Sequence, residues 1–266
     1  MQDRHPDVIF LSEAFTRPKV MKFLAKAGFT QSYTYFTWRN TKQELTAYFS
    51  ELAQGAGREY FRPNAWPNTP DILNEYLHGG QRAAFMARLV LAATLSANYG
   101  IYGPAYELLE GEPREPGSEE YRDSEKYQLR HWDLARGDSL APFIARINRV
   151  RHENPALQRN DTLKLLHIDN ENLLAYMKTS EDDENVVICV VNLDPNNTQG
   201  GTLQVPWWEL GMEKEEAYQM HDMLDSAYYN WRGEWNYVEL NPHVLPAHVF
   251  ALKRTSRQPV ENPRSL

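Results

Sequence analysis

The chain has 266 residues, 42% hydrophobic and 24% charged, which suits one large domain or a medium and a small one. A formal net charge of −8, without a long basic patch, argues against a nucleic-acid partner. No stretch approaches the roughly 18 apolar residues of a membrane span, and the polar start lacks a signal-peptide core, so the expectation is a cytoplasmic protein with no membrane partner.

Residues 8–11 (Val-Ile-Phe-Leu) form a short apolar run that reads as a strand buried on both faces, as parallel strands of an α/β protein are. Ser12 and Glu13 stand at its carboxyl end, and Pro18 opens an amphipathic helix over 19–27. Gly28 marks the helix end, 29–36 reads as a second strand, and Thr41 can cap a helix over 42–54 whose Leu45, Tyr48, Phe49 and Leu52 share one face. Gly55 and Gly57 end that helix, and residues 59–61 make a third, short strand. The following 62–71 contains three prolines and reads as a stiff loop. A short helix over 72–77, an apolar helix over 81–93 and a fourth strand over 94–99 follow. Strand and helix alternate four times, which calls for βα units and a parallel sheet. A long polar loop over 107–138, a length usually tied to function, precedes a helix over 139–153.

The pattern then changes to short β-rich runs at 162–167, 173–178, 186–193, 202–205, 218–222 and 248–253, separated by turn clusters. This suggests an antiparallel sandwich after the α/β part, with a boundary near Asn154–Pro155 and a polar tail at the end. Cys189, the single cysteine, lies in an apolar run and reads as a small buried hydrophobe. His78, His131 and His152 lack metal-ligand spacing, and the Gly55–Gly57 pair is too short for a phosphate-binding glycine motif, so neither metal nor cofactor is expected. Seven Trp and fifteen Tyr also suit the flat faces of sugars, and the Trp207–Trp208 pair reads as a glycan platform or a sheet-packing feature.

Glu13 and Asp71 both fall on loops after strands, the face on which barrel enzymes carry their catalytic groups. Two carboxyl groups flanking a sugar are what cleavage of a glycosidic bond requires. Each has a plainer reading, a helix-capping acid. Arg17 can approach a phosphate, orient Glu13, or form a surface ion pair.

Three segments carry a specific resemblance: residues 10–18 (Phe-Leu-Ser-Glu-Ala-Phe-Thr-Arg-Pro), 66–73 (Trp-Pro-Asn-Thr-Pro-Asp-Ile-Leu) and 124–133 (Ser-Glu-Lys-Tyr-Gln-Leu-Arg-His-Trp-Asp). In this order, and across nearly the whole chain, they resemble the bacterial maltosyltransferases that use maltose 1-phosphate, a branch of the α-amylase superfamily. The resemblance implies the second half of a (β/α)₈ barrel over 1–155, a β-sandwich domain over 156–256 and a tail over 257–266. It implies Glu13 as general acid/base, Asp71 as stabiliser of the transition state, and Lys126 and Tyr127 as holders of the donor's far glucose. Pro70 precedes Asp71 where most amylase relatives have histidine, which favours the maltosyltransferase branch. Without the resemblance, 124–130 reads as a solvated charged loop. The implied partners are maltose 1-phosphate, an α-1,4-glucan and, in the complete protein, a second subunit.

The family's nucleophile is an aspartate one βα unit before the acid, but only twelve residues precede Glu13. The chain is therefore expected to lack the first four barrel strands and to be inactive alone. An amylase-type hydrolase and a non-catalytic carbohydrate-binding fragment are the alternatives.

Overall fold

The computed structural model describes residues 4–253, and the expected tail over 257–266 lies outside the described residues. Four short strands, β1 (Leu11–Ser12), β2 (Gln31–Tyr33), β3 (Pro63–Ala65) and β4 (Asn98–Tyr99), form one parallel sheet in chain order. Helices α1 (Pro18–Lys26), α2 (Lys42–Gln54) and α3 (Arg82–Leu95) provide the crossovers. Each strand joins the edge left by the last, so the four loops after the strands leave from one edge of the sheet.

Local chemistry sets the helix bounds. Thr41 accepts from the Glu44 amide while Glu44 returns a bond to the Thr41 amide, a reciprocal cap that starts α2. A side chain at Gly55 would place its Cβ 2.5 Å from the Glu51 carbonyl, so glycine is required where the chain leaves that helix. Helix α3 is buried from Ala83 to Leu95 because it is sandwiched between the parallel sheet and the antiparallel sheet below. Arg88 is buried within it; its guanidinium donates to the Phe36 and Arg39 carbonyls, both at 2.7 Å, and covers the Phe36 ring. Burial pushes its pKa down to about 10.

Three strand expectations are corrected. Val8 and Ile9 precede β1, and Val8, Ile9 and Leu11 are exposed rather than buried, because β1 pairs with β2 alone and its other edge is open. The third strand is not 59–61, which ends a 3₁₀ turn (Ala56–Glu59) and continues as coil, but Pro63–Ala65, inside the stretch read as a stiff loop. Pro63 is tolerated because β2 bonds through the Ser32 amide to the Arg62 carbonyl, and the Pro63 carbonyl accepts from Ser96. The fourth strand starts only at Asn98, since α3 runs on to Leu95 with the Thr94 hydroxyl bonded to the Val90 carbonyl.

After α4 (Gly103–Glu107) and the long loop, α5 (Ala141–Glu153) and a 3₁₀ turn (Pro155–Gln158) lead into the antiparallel part. Strands β5 (Lys164–Leu166), β6 (Leu173–Thr179), β7 (Val186–Asn192), β9 (Ala217–Asp222), β10 (Tyr228–Arg232) and β12 (Ala247–Lys253) form a six-stranded sheet in the order β10-β9-β12-β7-β6-β5. Strands β8 (Gln199–Gln204) and β11 (Trp235–Leu240) pair as a second layer. Strand alternation sorts the side chains: Leu174, Tyr176, Val187, Cys189 and Val249 join the core around α3, while Ala175, Ile188, Val190 and Phe250 meet Leu203 and Val238 of the second layer. Both faces of β6, β7 and β12 are covered, which explains their unbroken apolar runs. Strands β10 and β11 went unrecognised in the sequence because every second residue is exposed and neither strand carries an unbroken aliphatic run.

Candidate active site at the carboxyl ends of the parallel strands

Glu13 follows directly on β1 and is exposed, with buried Ser12 anchoring the strand behind it. An aromatic floor lies beside it. Phe15 meets the Trp38 ring edge-on at 5.1 Å and the Tyr33 ring at 5.9 Å, and Tyr33 stacks on Trp66 at 4.8 Å. Burial, and then the charge of Glu13, raise the Tyr33 pKa, which puts the Glu13 carboxylate within electrostatic reach of the β2 end. Trp66 lies flat on Gly100, where a Cβ would fall 2.3 Å from the indole, so the loops after β3 and β4 touch through a glycine. Ser32 Oγ, Asn64 Oδ1 and Trp66 Nε1 are buried without a hydrogen-bond partner among the described residues.

Asp71 is held at the tip of a tight turn. Thr69 and Ile72 exchange both backbone bonds, and the Asp71 amide donates to Thr69 Oγ1 at 3.2 Å, leaving its carboxylate pointing out. Asn68 braces this loop from behind: its side chain donates to Tyr121 Oη at 2.8 Å and accepts from the Tyr102 amide at 2.9 Å. Asp71 caps no helix. The next helical turn, a 3₁₀ segment at Glu75–Gly80, is capped by Asn74 and replaces the short helix expected over 72–77.

The long loop folds back over this edge. The Glu119 carboxylate accepts from the Trp38 indole at 2.6 Å, and its carbonyl accepts from the Leu73 amide. Lys126 Nζ then lies 3.1 Å from Asp71 Oδ1 and 3.7 Å from Glu120 Oε1. The Asp71 contact raises the Lys126 pKa, keeping the ammonium charged. Glu120 is held below the usual carboxylate range, first by Arg114 at 2.8 Å. Tyr127 donates to Glu120 at 3.5 Å and keeps an exposed ring.

Of the four residues singled out from the sequence, the structure brings Asp71, Lys126 and Tyr127 into one cluster. Glu13 is placed on the same edge of the sheet, two strands away, with no hydrogen bond or ion pair to that cluster. Both carboxylates are exposed rather than sealed in the core. Arg17 is the N-cap of α1 and forms no ion pair among the described residues. Residues that the sequence did not reveal are Glu120, which bridges Lys126 and Tyr127, and the floor made by Tyr33, Trp38 and Trp66. The length of the loop was a signal for Glu120, but nothing local distinguished it from its acidic neighbours. Beside the cluster, a polar cavity of about 520 Å³ is lined by Trp38, Asn74, His78 and Glu119, among others. No group of three or more metal-ligand side chains stands together among the described residues.

Residues 165–252 match the family described as GLGE, C-terminal. The chain is 53% identical, over 96% of its length, to an alpha-1,4-glucan:maltose-1-phosphate maltosyltransferase of Chlorobaculum tepidum, and 52% identical over 94% to one of two such proteins of Streptomyces coelicolor. It spans about two fifths of these curated relatives, 39% and 37% of their lengths. The resemblance read from three motifs thus extends over almost the entire chain. Among solved structures, an Anoxybacillus alpha-amylase superposes over 97% of this chain and 55% of its own, with a TM-score of 0.65 at 14% identity. A gamma-CGTase of Bacillus clarkii superposes over 92% of this chain and 36% of its own, with a TM-score of 0.65 at 16% identity. These two likenesses are of fold.

Proposed function

We propose that this chain is the carboxyl-terminal part of a maltosyltransferase that moves maltosyl from maltose 1-phosphate to the non-reducing end of an α-1,4-glucan and releases phosphate. Near-half identity or better over most of the chain to proteins so named supports the reading. In it, β1 to β4 are the last four strands of a (β/α)₈ barrel, residues 1–155 form that half-barrel, 156–256 the β-sandwich domain and 257–266 the tail. The complete protein would be a cytoplasmic homodimer serving glycogen-type glucan synthesis, and its chemistry invokes no cofactor.

The observation that carries the proposal is the meeting of Lys126 with Asp71 at 3.1 Å, because two motifs far apart in sequence supply one cluster on the edge where Glu13 also stands. In the first step a carboxylate attacks the anomeric carbon while Glu13 gives its proton to the departing phosphate oxygen. In the second, a glucan hydroxyl opens the resulting ester and returns a proton to Glu13. Asp71, negatively charged, stabilises the oxocarbenium-like transition states. Lys126 and Tyr127 offer hydrogen-bond donors and a ring face to the donor's second glucose. The attacking aspartate would come from sequence outside these 266 residues, and the chain alone would not turn over.

The test is phosphate release from maltose 1-phosphate, with glucan present, by the complete protein and its Glu13→Gln variant. The expected loss is about 10²- to 10⁴-fold, typical of a missing general acid/base. A parent protein that hydrolyses starch and frees no phosphate from maltose 1-phosphate would overturn the reading in favour of a hydrolase.

A further inference from the structure

The β8–β11 pair covers one face of the six-stranded sheet with Leu203, Val238 and Leu240, and its own outer face is open. Along β11 alternation turns Asn236, Val238 and Leu240 inward and Trp235, Tyr237 and Glu239 outward. Trp235 is 50% and Tyr237 63% exposed. Two residues apart on one strand, the rings stand about 7 Å from one another along the chain.

Neither ring is a loose surface side chain. A Cβ on Gly200 would fall 2.1 Å from the Tyr237 hydroxyl oxygen, so the phenol lies down across β8 in space that only glycine leaves. Its hydroxyl is fixed by a bond to Glu239 at 3.1 Å. Trp235 is flanked by the His167 ring, edge-on at 5.8 Å between centroids. Asp169, which accepts from the Thr202 amide at 2.6 Å, and Glu239 supply carboxylates at the rim, and Gln204 reaches Glu234 at 2.5 Å.

We propose that this face is a second carbohydrate site, on which successive rings of an α-1,4-glucan stack against Trp235 and Tyr237. Pre-ordered aromatic faces lose little conformational freedom on binding. The C–H faces of glucose match the rings, and its hydroxyls can donate to Asp169 and Glu239. The same carboxylates repel an anionic partner such as nucleic acid or a phospholipid surface, and an apolar protein segment would leave them desolvated and unpaired. The six-stranded sheet and α3 lie between this face and the Glu13–Asp71 edge, so the site is separate from the catalytic one. The choice of α-1,4-glucan among neutral polysaccharides rests on the function proposed above.

The experiment is affinity electrophoresis of the full chain through gels containing amylose, with maltoheptaose and cellohexaose as competitors. Amylose should retard the parent chain. Trp235→Ala and Tyr237→Ala should each weaken binding about tenfold, a loss in line with one aromatic contact. Gly200→Val, which keeps both rings but lifts Tyr237 off the strand, should weaken it as well, while Tyr237→Phe should retain most of it. Unfolding midpoints of the variants separate lost binding from lost folding. Absence of retardation in the parent, or equal retardation in the folded Trp235→Ala/Tyr237→Ala double variant, would overturn the site. Ring-dependent binding that cellohexaose competes better than maltoheptaose would overturn the α-glucan assignment, and phosphate release by the complete protein would still test the catalytic reading independently.

Discussion

Lys178 sits on β6 with its side chain wholly buried, and its ammonium donates to the Leu157 carbonyl at 3.3 Å. Burial, reinforced by the charge of Arg151, lowers its pKa from 10.5 to about 7. The unfolded chain therefore binds more protons between about pH 7 and 10.5, and the contribution of Lys178 to stability rises with pH across that window. Below it, both states are protonated and the burial cost stands in full, on the order of several kcal/mol. Lys178→Met should thus raise the urea midpoint most at or below pH 7, with the advantage over the parent shrinking toward pH 10. A difference independent of pH would remove Lys178 as its origin. At the candidate site the ionic contact is of another kind. The Lys126–Asp71 pair is about half exposed and screened by solvent, so opening it to admit a sugar costs little. In the complete protein, Lys126→Ala should weaken use of maltose 1-phosphate by about 1–3 kcal/mol, the loss of a charged hydrogen bond. Use of glucose 1-phosphate, which has no second ring, should change much less. Equal losses in kcat/KM for the two donors would place Lys126 at the reacting ring or in the fold instead.

Helix α2 shows how a local signal can fix an element. Its reciprocal Thr41–Glu44 cap and its departure at Gly55 hold the segment to Lys42–Gln54, the range its sequence announces. Thr41→Ala should cost about 1 kcal/mol, read as a lower urea midpoint with an unchanged slope. The strands of the parallel sheet have no such markers. At two or three residues each, they are defined by partners rather than by their own pattern, and β3 begins on a proline that only its neighbours make acceptable. The long runs of β6, β7 and β12 are legible because both of their faces are buried, whereas the exposed half of β11 hides it. The same limit applies to the site. Glu13 and Asp71 can be placed on one sheet edge from strand order alone, but the approach of Lys126 to Asp71 across 55 residues of chain depends on the path of the loop, which no local pattern encodes.

An apolar surface lies where β1 and α1 adjoin. Val8, Ile9, Leu11, Val20 and Phe23 are 43–66% exposed, and β1 offers an unpaired strand edge beside them. Helix α1 buries only Met21 and Ala25, against Phe61, so its apolar residues exceed what its own neighbours cover. Clustered apolar exposure next to a free edge favours association, since it offers both hydrophobic burial and backbone pairing. In the proposed reading this face meets the preceding strand and helix of the barrel in the complete protein, and burial there would be worth about 25 cal/mol per Å² of apolar surface. The chain by itself should then bind a hydrophobic dye and sediment as mixed oligomers at micromolar concentration. Replacing Ile9 and Phe23 with lysine should shift it toward monomer without lowering its urea midpoint, because neither side chain is in the core. Supplying the missing strands in trans should abolish dye binding by the parent chain, but only poorly in the Ile9→Lys/Phe23→Lys variant. A parent chain that sediments as a monomer and binds no dye would show that this edge is not an interface, and the half-barrel reading would lose its physical support.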